Sequence, residues 1–174
     1  MLVLYDIFKY GGSSLLFIIS AIQALFTSKL LAWKLSNSII IISSYLYNTY
    51  DCKACRNFDY LIISAISMSY INNLNINILF GLCFFIEMIL KQQITITKNI
   101  VFLLACGLSL FNTFYVDYCL FIYLLLVIVI GIIAVKYRNL SYYSTGYTPF
   151  VCFLTTIWHV CAGSILFVSS YTAL

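Results

Sequence analysis

The stretch "YCLFIYLLLVIVIGIIAV", residues 118–135, runs without one charged side chain. At about 1.5 Å of rise per residue, a helix of this length crosses most of a hydrocarbon layer ~30 Å thick. A membrane barrel strand would alternate apolar and polar positions, and this run does not. A helix apolar on every side has no face to offer water. The stretch therefore predicts a helix that lies in lipid.

The rest of the chain follows the same pattern. Of 174 residues, 64% are hydrophobic and only 8% charged, and mean hydropathy is +1.05. An average soluble domain carries about 25% charged residues, so this chain cannot clothe itself for water. Windows of about 20 apolar residues predict spans at 12–28, 31–50, 58–71, 76–90, 99–116, 118–135 and 149–171. The third and fourth are short and separated only by "NNLN" (72–75), which reads either as a tight helical hairpin or as one misread element. No Pro or Gly cluster marks a second domain. The expectation is an all-α, polytopic transmembrane bundle of about seven spans, forming a single transmembrane domain over residues 1–174.

Loop charges predict the orientation. With the N-terminus on one side, that side receives Lys9, Lys53, Arg56, Lys91, Lys98, Lys136 and Arg138, and the other only Lys29 and Lys34. The positive-inside rule then puts the N-terminus in the cytosol and the C-terminus outside or in a lumen. A net charge of +4 confined to loops does not suit nucleic-acid binding. The opening "MLVLYDIFKYGGSS" carries Asp6 and no small-residue cleavage site, so it reads as a retained anchor. Cys83, Cys106, Cys119, Cys152 and Cys161 fall inside predicted spans, where Cys behaves as a small apolar residue. Only Cys52 and Cys55, in "DCKAC", sit in a loop, a weak sign of metal or redox chemistry.

Polar groups at membrane depth are costly and usually face a bundle interior. "SSYLYNTY" (43–50) puts Ser44 and Asn48 four residues apart on one helix face. "NFDYLIIS" (57–64) opens the third span with Asp59, which reads as a helix cap or as a buried carboxylate. Glu87 stands four residues before Lys91, the spacing of an interfacial ion pair. "TTIWH" (155–159) carries Thr155 and His159, the only histidine of the chain, on one face beside Trp158. Such residues often do no more than bond neighbouring helices. Ser44, Asn48, Asp59, Thr155 and His159 can also converge in one polar pocket toward the cytosolic third of the bundle.

At these residues the chain resembles the CREST superfamily of seven-span membrane proteins, which includes alkaline ceramidases, progestin and adipoQ receptors, and myomaker-like proteins. That superfamily has Ser-x3-His closing span two, Asp opening span three and His-x3-His in the last span. Here "SSYLYN" is similar to its Ser-x-x-Tyr-His, "FDYLIIS" to its Asp-Tyr-Leu-x-x-Ser, and "TTIWH" to its His-Ser-Ile-Trp-His. The resemblance implies that Ser44 and Asp59 occupy the catalytic positions beside a metal-bound water. It further implies that His159 occupies one of three zinc-ligand positions. The other two hold Asn48 and Thr155, poor zinc ligands beside imidazole or thiolate. A site rewired through Asp51, Cys52, Cys55 or Cys152 is the remaining route to zinc.

The favoured reading is a metal-free, non-catalytic relative of this superfamily: a receptor-like, lipid-binding or membrane-remodelling scaffold with no cofactor. Membrane lipid is its expected partner, with protein partners or a second copy also open. Two alternatives stand beside it. One is a hydrolase of ceramide-like amides with a rewired metal site, and the other a structural subunit of a larger membrane complex. No serine-hydrolase elbow is available, since "CAGSI" lacks Gly-x-Ser-x-Gly. A channel is less favoured because the intramembrane charges form no ring.

Overall fold

In the computed structural model, residues 12–27, 31–50, 52–91, 95–146 and 148–172 are described. Among them the fold is all-α, with no strand. A 3₁₀ turn, Gly12–Phe17, leads into α1, Ile18–Thr27. Then come α2 (Leu31–Tyr50), α3 (Lys53–Ile71), α4 (Leu74–Lys91), α5 (Ile96–Val116), α6 (Tyr118–Thr145) and α7 (Pro149–Thr172).

Local chemistry fixes most boundaries. Cys52 caps α3, its Sγ accepting the Cys55 backbone N–H at 3.1 Å. Asp59 therefore lies in the second turn of α3 and does not cap it, contrary to one reading of the sequence. Asn72 takes the left-handed conformation at φ 48° and returns its N–H to Met68 O. The "NNLN" segment is thus a true break, and α3 and α4 are separate helices. Asp117 closes α5 and opens α6, where its carboxylate accepts the N–H groups of Cys119 (2.8 Å) and Leu120 (3.1 Å). α6 runs past Val135 to Thr145, because charge alone does not end a helix. It stops where Gly146 adopts φ +71°, just before Pro149 begins α7.

Glu87 has partners that its spacing to Lys91 does not suggest. Its carboxylate, on α4, accepts the N–H groups of Thr95 (2.9 Å), Ile96 (2.7 Å) and Thr97 (2.9 Å) at the start of α5. It supplies the negative charge that a helix N-terminus favours. The side chain of Lys91 lies outside the described residues.

α7 is the central helix, packed on α6, α1, the 3₁₀ turn and α5. α2 pairs with α3, α3 leans on α5, and α4 packs chiefly on α5. One core cluster joins Phe17, Ala24, Trp33, Ile40 and Ile66, and another joins Cys106, Leu124, Ile165 and Val168. Gly131 brings α6 close to α7: a Cβ there would stand 3.2 Å from Cys161 Cβ and 3.3 Å from the Trp158 ring.

Among the described residues three helices, α5, α6 and α7 over 149–171, are long and apolar enough to cross a membrane. Large apolar side chains such as Phe111, Leu126, Ile133 and Phe153 are exposed along them. α4 and the first helical segment are apolar but shorter. α2 and α3 are long enough but less apolar, because Ser36, Asn37, Ser43, Ser44, Asp59, Ser64 and Ser67 are buried on their inner faces.

Candidate functional site

The inner faces of α2, α3, α5, α6 and α7 enclose a cavity of about 480 Å³. Its walls are largely apolar, with Phe17, Ile40, Ile66, Phe102 and Leu166 among them. Trp33 lines it toward one end of α2 and Asn48 toward the other. At about 1.5 Å per residue these two lie about 22 Å apart along the helix axis. The space is therefore long, and its largely apolar walls suit hydrocarbon.

Polar groups concentrate near the Asn48 end. Ser44, Asn48, Asp59 and His159 all line the cavity, together with Lys98, Lys136 and Arg138. The basic residues assigned by the sequence to one side thus include several that meet around one end of one space. Lys9, Lys29 and Asp51 lie outside the described residues.

His159 is buried in α7 and bonded through both ring nitrogens. Nδ1 is 2.7 Å from Ser13 Oγ and Nε2 is 3.3 Å from Ser44 Oγ. Ser14 Oγ donates to Ser44 Oγ at 3.0 Å. Asn48 Nδ2 donates to Ser44 O at 2.7 Å and reaches Ser44 Oγ at 3.3 Å. The Ser44 oxygen thus accepts from Ser14 and Asn48, so its own proton is directed to Nε2. This leaves the neutral Nδ1–H tautomer, donating to Ser13. The Phe17 ring packs on the imidazole at 5.3 Å between centroids, so the 3₁₀ turn closes one side of the histidine with two hydroxyls and an aromatic face.

Asp59, also buried, accepts from Ser43 Oγ at 3.0 Å. Adjacent serines on α2 thereby reach different targets, Ser43 toward α3 and Ser44 toward α7. Lys98 rests its ammonium over the Tyr60 ring, 4.1 Å from the centroid. Arg138 donates from Nε and Nη2 to Asn139 Oδ1 at 3.2 and 3.0 Å. Trp158 lines the cavity, meeting the Phe102 ring edge-on at 6.2 Å.

Thr155 is not brought to this space. It is buried, and its hydroxyl returns to Val151 O on its own helix at 2.8 Å. At the three positions where the resemblance would put zinc ligands, the residues do not fit the ion. Both nitrogens of His159 are engaged by hydroxyls, Asn48 directs its amide N–H groups at Ser44, and Thr155 faces its own backbone. Cys52 Sγ is engaged as a helix cap, and all seven cysteines carry free thiols. Among the described residues no three His, Cys, Asp or Glu side chains are gathered as a metal-ligand group.

Ser13 and Ser14 are the site residues that sequence reasoning missed. Their only signal was a pair of small hydroxyl residues in "GGSS" at the start of the first predicted span, ordinary there until a tertiary partner appears. Lys98 and Arg138 were assigned to membrane boundaries, and only the packing reveals that they face inward. Comparison with protein-family models, with curated proteins and with solved structures finds no match to this chain.

Proposed function

We propose that this chain is a multi-pass membrane protein in which all seven α-helices lie across the bilayer, with the N-terminus cytosolic. In this reading it is a metal-free, non-catalytic relative of the CREST superfamily that binds a single-chain amphiphile in its central cavity. The long, largely apolar space that becomes polar at one end carries the proposal. Ligand sites commonly take this form, a mostly apolar pocket of about 300–1,000 Å³ with a few convergent polar groups. The more polar helices α2 and α3 are tolerable in lipid because their hydroxyl and amide groups bond inward.

Native mass spectrometry of the chain released from nanodiscs tests this. One amphiphile should remain per chain, and zinc should be far below stoichiometric. Ala162→Trp, which fills the cavity from α7, should lose the ligand while the chain stays helical and monodisperse. Stoichiometric zinc, or hydrolysis of a ceramide-like amide, would overturn the metal-free, non-catalytic part. An empty wild-type cavity would overturn the binding part.

A further inference from the structure

We infer that the amphiphile taken by this cavity carries a phosphate monoester as its headgroup. The inference rests on the cavity being an amphiphile site and adds the chemistry of the head. Four charged side chains line the space: Lys98 from α5, Lys136 and Arg138 from α6, and Asp59 from α3. Three cations against one carboxylate leave two positive charges. A phosphate monoester carries about −1.5 to −2 at neutral pH and matches that excess. A carboxylate headgroup leaves one cation uncompensated, and a choline headgroup brings a further cation. At a membrane boundary such imbalance is costly, because fewer waters are available to solvate it.

The present partners of these cations point the same way. Lys98 is held by the Tyr60 ring and Arg138 by the neutral amide oxygen of Asn139. The Asp59 carboxylate takes its hydrogen bond from Ser43. A phosphate entering at this end would give Lys98 and Arg138, whose charges now act on Asp59 through space, charge-assisted bonds, which are shorter and roughly twice as strong as neutral ones. Orientation rules for membrane proteins explain basic residues near the cytosolic boundary, but not why these line an internal space. Lys98 is half-buried, whereas Lys136 is exposed at the rim. The headgroup would sit between Lys98 and Arg138, with its chain running along Ile66 and Leu166 toward Trp33.

The test uses the purified chain in nanodiscs, titrated with lysophosphatidate, a fatty acid of equal chain length, lysophosphatidylcholine and inorganic phosphate. Lysophosphatidate should bind at least about tenfold more tightly than the fatty acid, the discrimination expected of one well-made charge-assisted contact. Inorganic phosphate should bind far more weakly, because it lacks the chain. Lys98→Gln and Arg138→Gln should each weaken lysophosphatidate by about tenfold and change fatty-acid binding much less. Lys136→Gln, at the exposed rim, supplies a milder variant if either of those fails to fold, and should weaken the phosphate ligand alone. Equal or tighter fatty-acid binding would overturn the headgroup inference and leave the amphiphile site standing. If none of the single-chain lipids binds, the site itself is refuted. Inorganic phosphate binding as well as lysophosphatidate would overturn both.

Discussion

Ser13 Oγ and His159 Nδ1 lie 2.7 Å apart although 146 positions separate them in the chain. This contact and its neighbours tie the 3₁₀ turn, α2 and α7 together where the CREST resemblance would have a metal do so. Hydroxyls linked through one imidazole are weaker than three ligands on zinc. They still leave the buried imidazole with a partner at each nitrogen, and a buried polar group without one is expensive.

Ser13→Ala and Ser44→Ala should each lower stability by about 0.5–1.5 kcal/mol, the net value of a buried hydrogen bond. His159→Ala should cost more, about 2–4 kcal/mol, since it also opens a cavity. Ser13→Ala combined with His159→Ala should be less destabilising than the sum of the singles, with a coupling of about 0.6 kcal/mol or more. Denaturant unfolding in detergent reads all four variants, and strict additivity would deny that the contact forms.

The close approach of α6 and α7 depends on Gly131. Gly131→Leu should destabilise by about 1–3 kcal/mol, because its side chain must displace Cys161 or Trp158. Gly81→Ala and Gly107→Ala meet nothing within 4 Å and should be neutral or stabilising by about 0.5–1 kcal/mol. Equal thermal shifts in all three variants would contradict the packing.

Glu87 should behave as a cap. Removing its three backbone bonds in Glu87→Ala should cost about 1–2 kcal/mol. Glu87→Gln keeps an acceptor and should lose about half as much. Lys91→Ala should change little. A larger effect of Lys91→Ala than of Glu87→Ala would favour the ion pair read from spacing over the cap.

The helices were legible because lipid imposes long apolar runs. The end of α6 was not: the sequence was cut at Val135 by Lys136 and Arg138, whereas the helix extends to the first real breaker, Gly146. The start of α3 was missed because a cysteine is an unusual cap. At the site, Ser44, Asn48, Asp59 and His159 could be singled out because each is polar within an apolar segment. Ser13, Ser14 and Lys98 could not, because serines in a glycine-rich stretch and a lysine at a span boundary look ordinary until packing turns them inward. Thr155 shows the converse. Periodicity put it on the face of His159, but a threonine can satisfy its hydroxyl on the preceding helical turn.

Orientation can be read at Cys52, which lies between α2 and α3. Its hydrogen bond with the Cys55 side chain, followed by the bond from the Cys55 backbone N–H, draws its thiol below the ordinary value. More of it is therefore thiolate at neutral pH, and labelling should fall as pH drops through that lowered value. A membrane-impermeant maleimide should reach Cys52 in inside-out vesicles and not in right-side-out ones. The opposite sidedness would invert the proposed topology.

The cavity is tested most directly by a photoactivatable single-chain lipid incorporated into nanodiscs with the chain, followed by peptide mapping of the crosslinks. Saturable adducts on Ile63, Phe102 and Leu166, all lining the cavity, and their loss in Ala162→Trp, are the predicted result. Adducts confined to outward-facing side chains such as Phe111, Leu126 and Ile133, unchanged by Ala162→Trp, would contradict it.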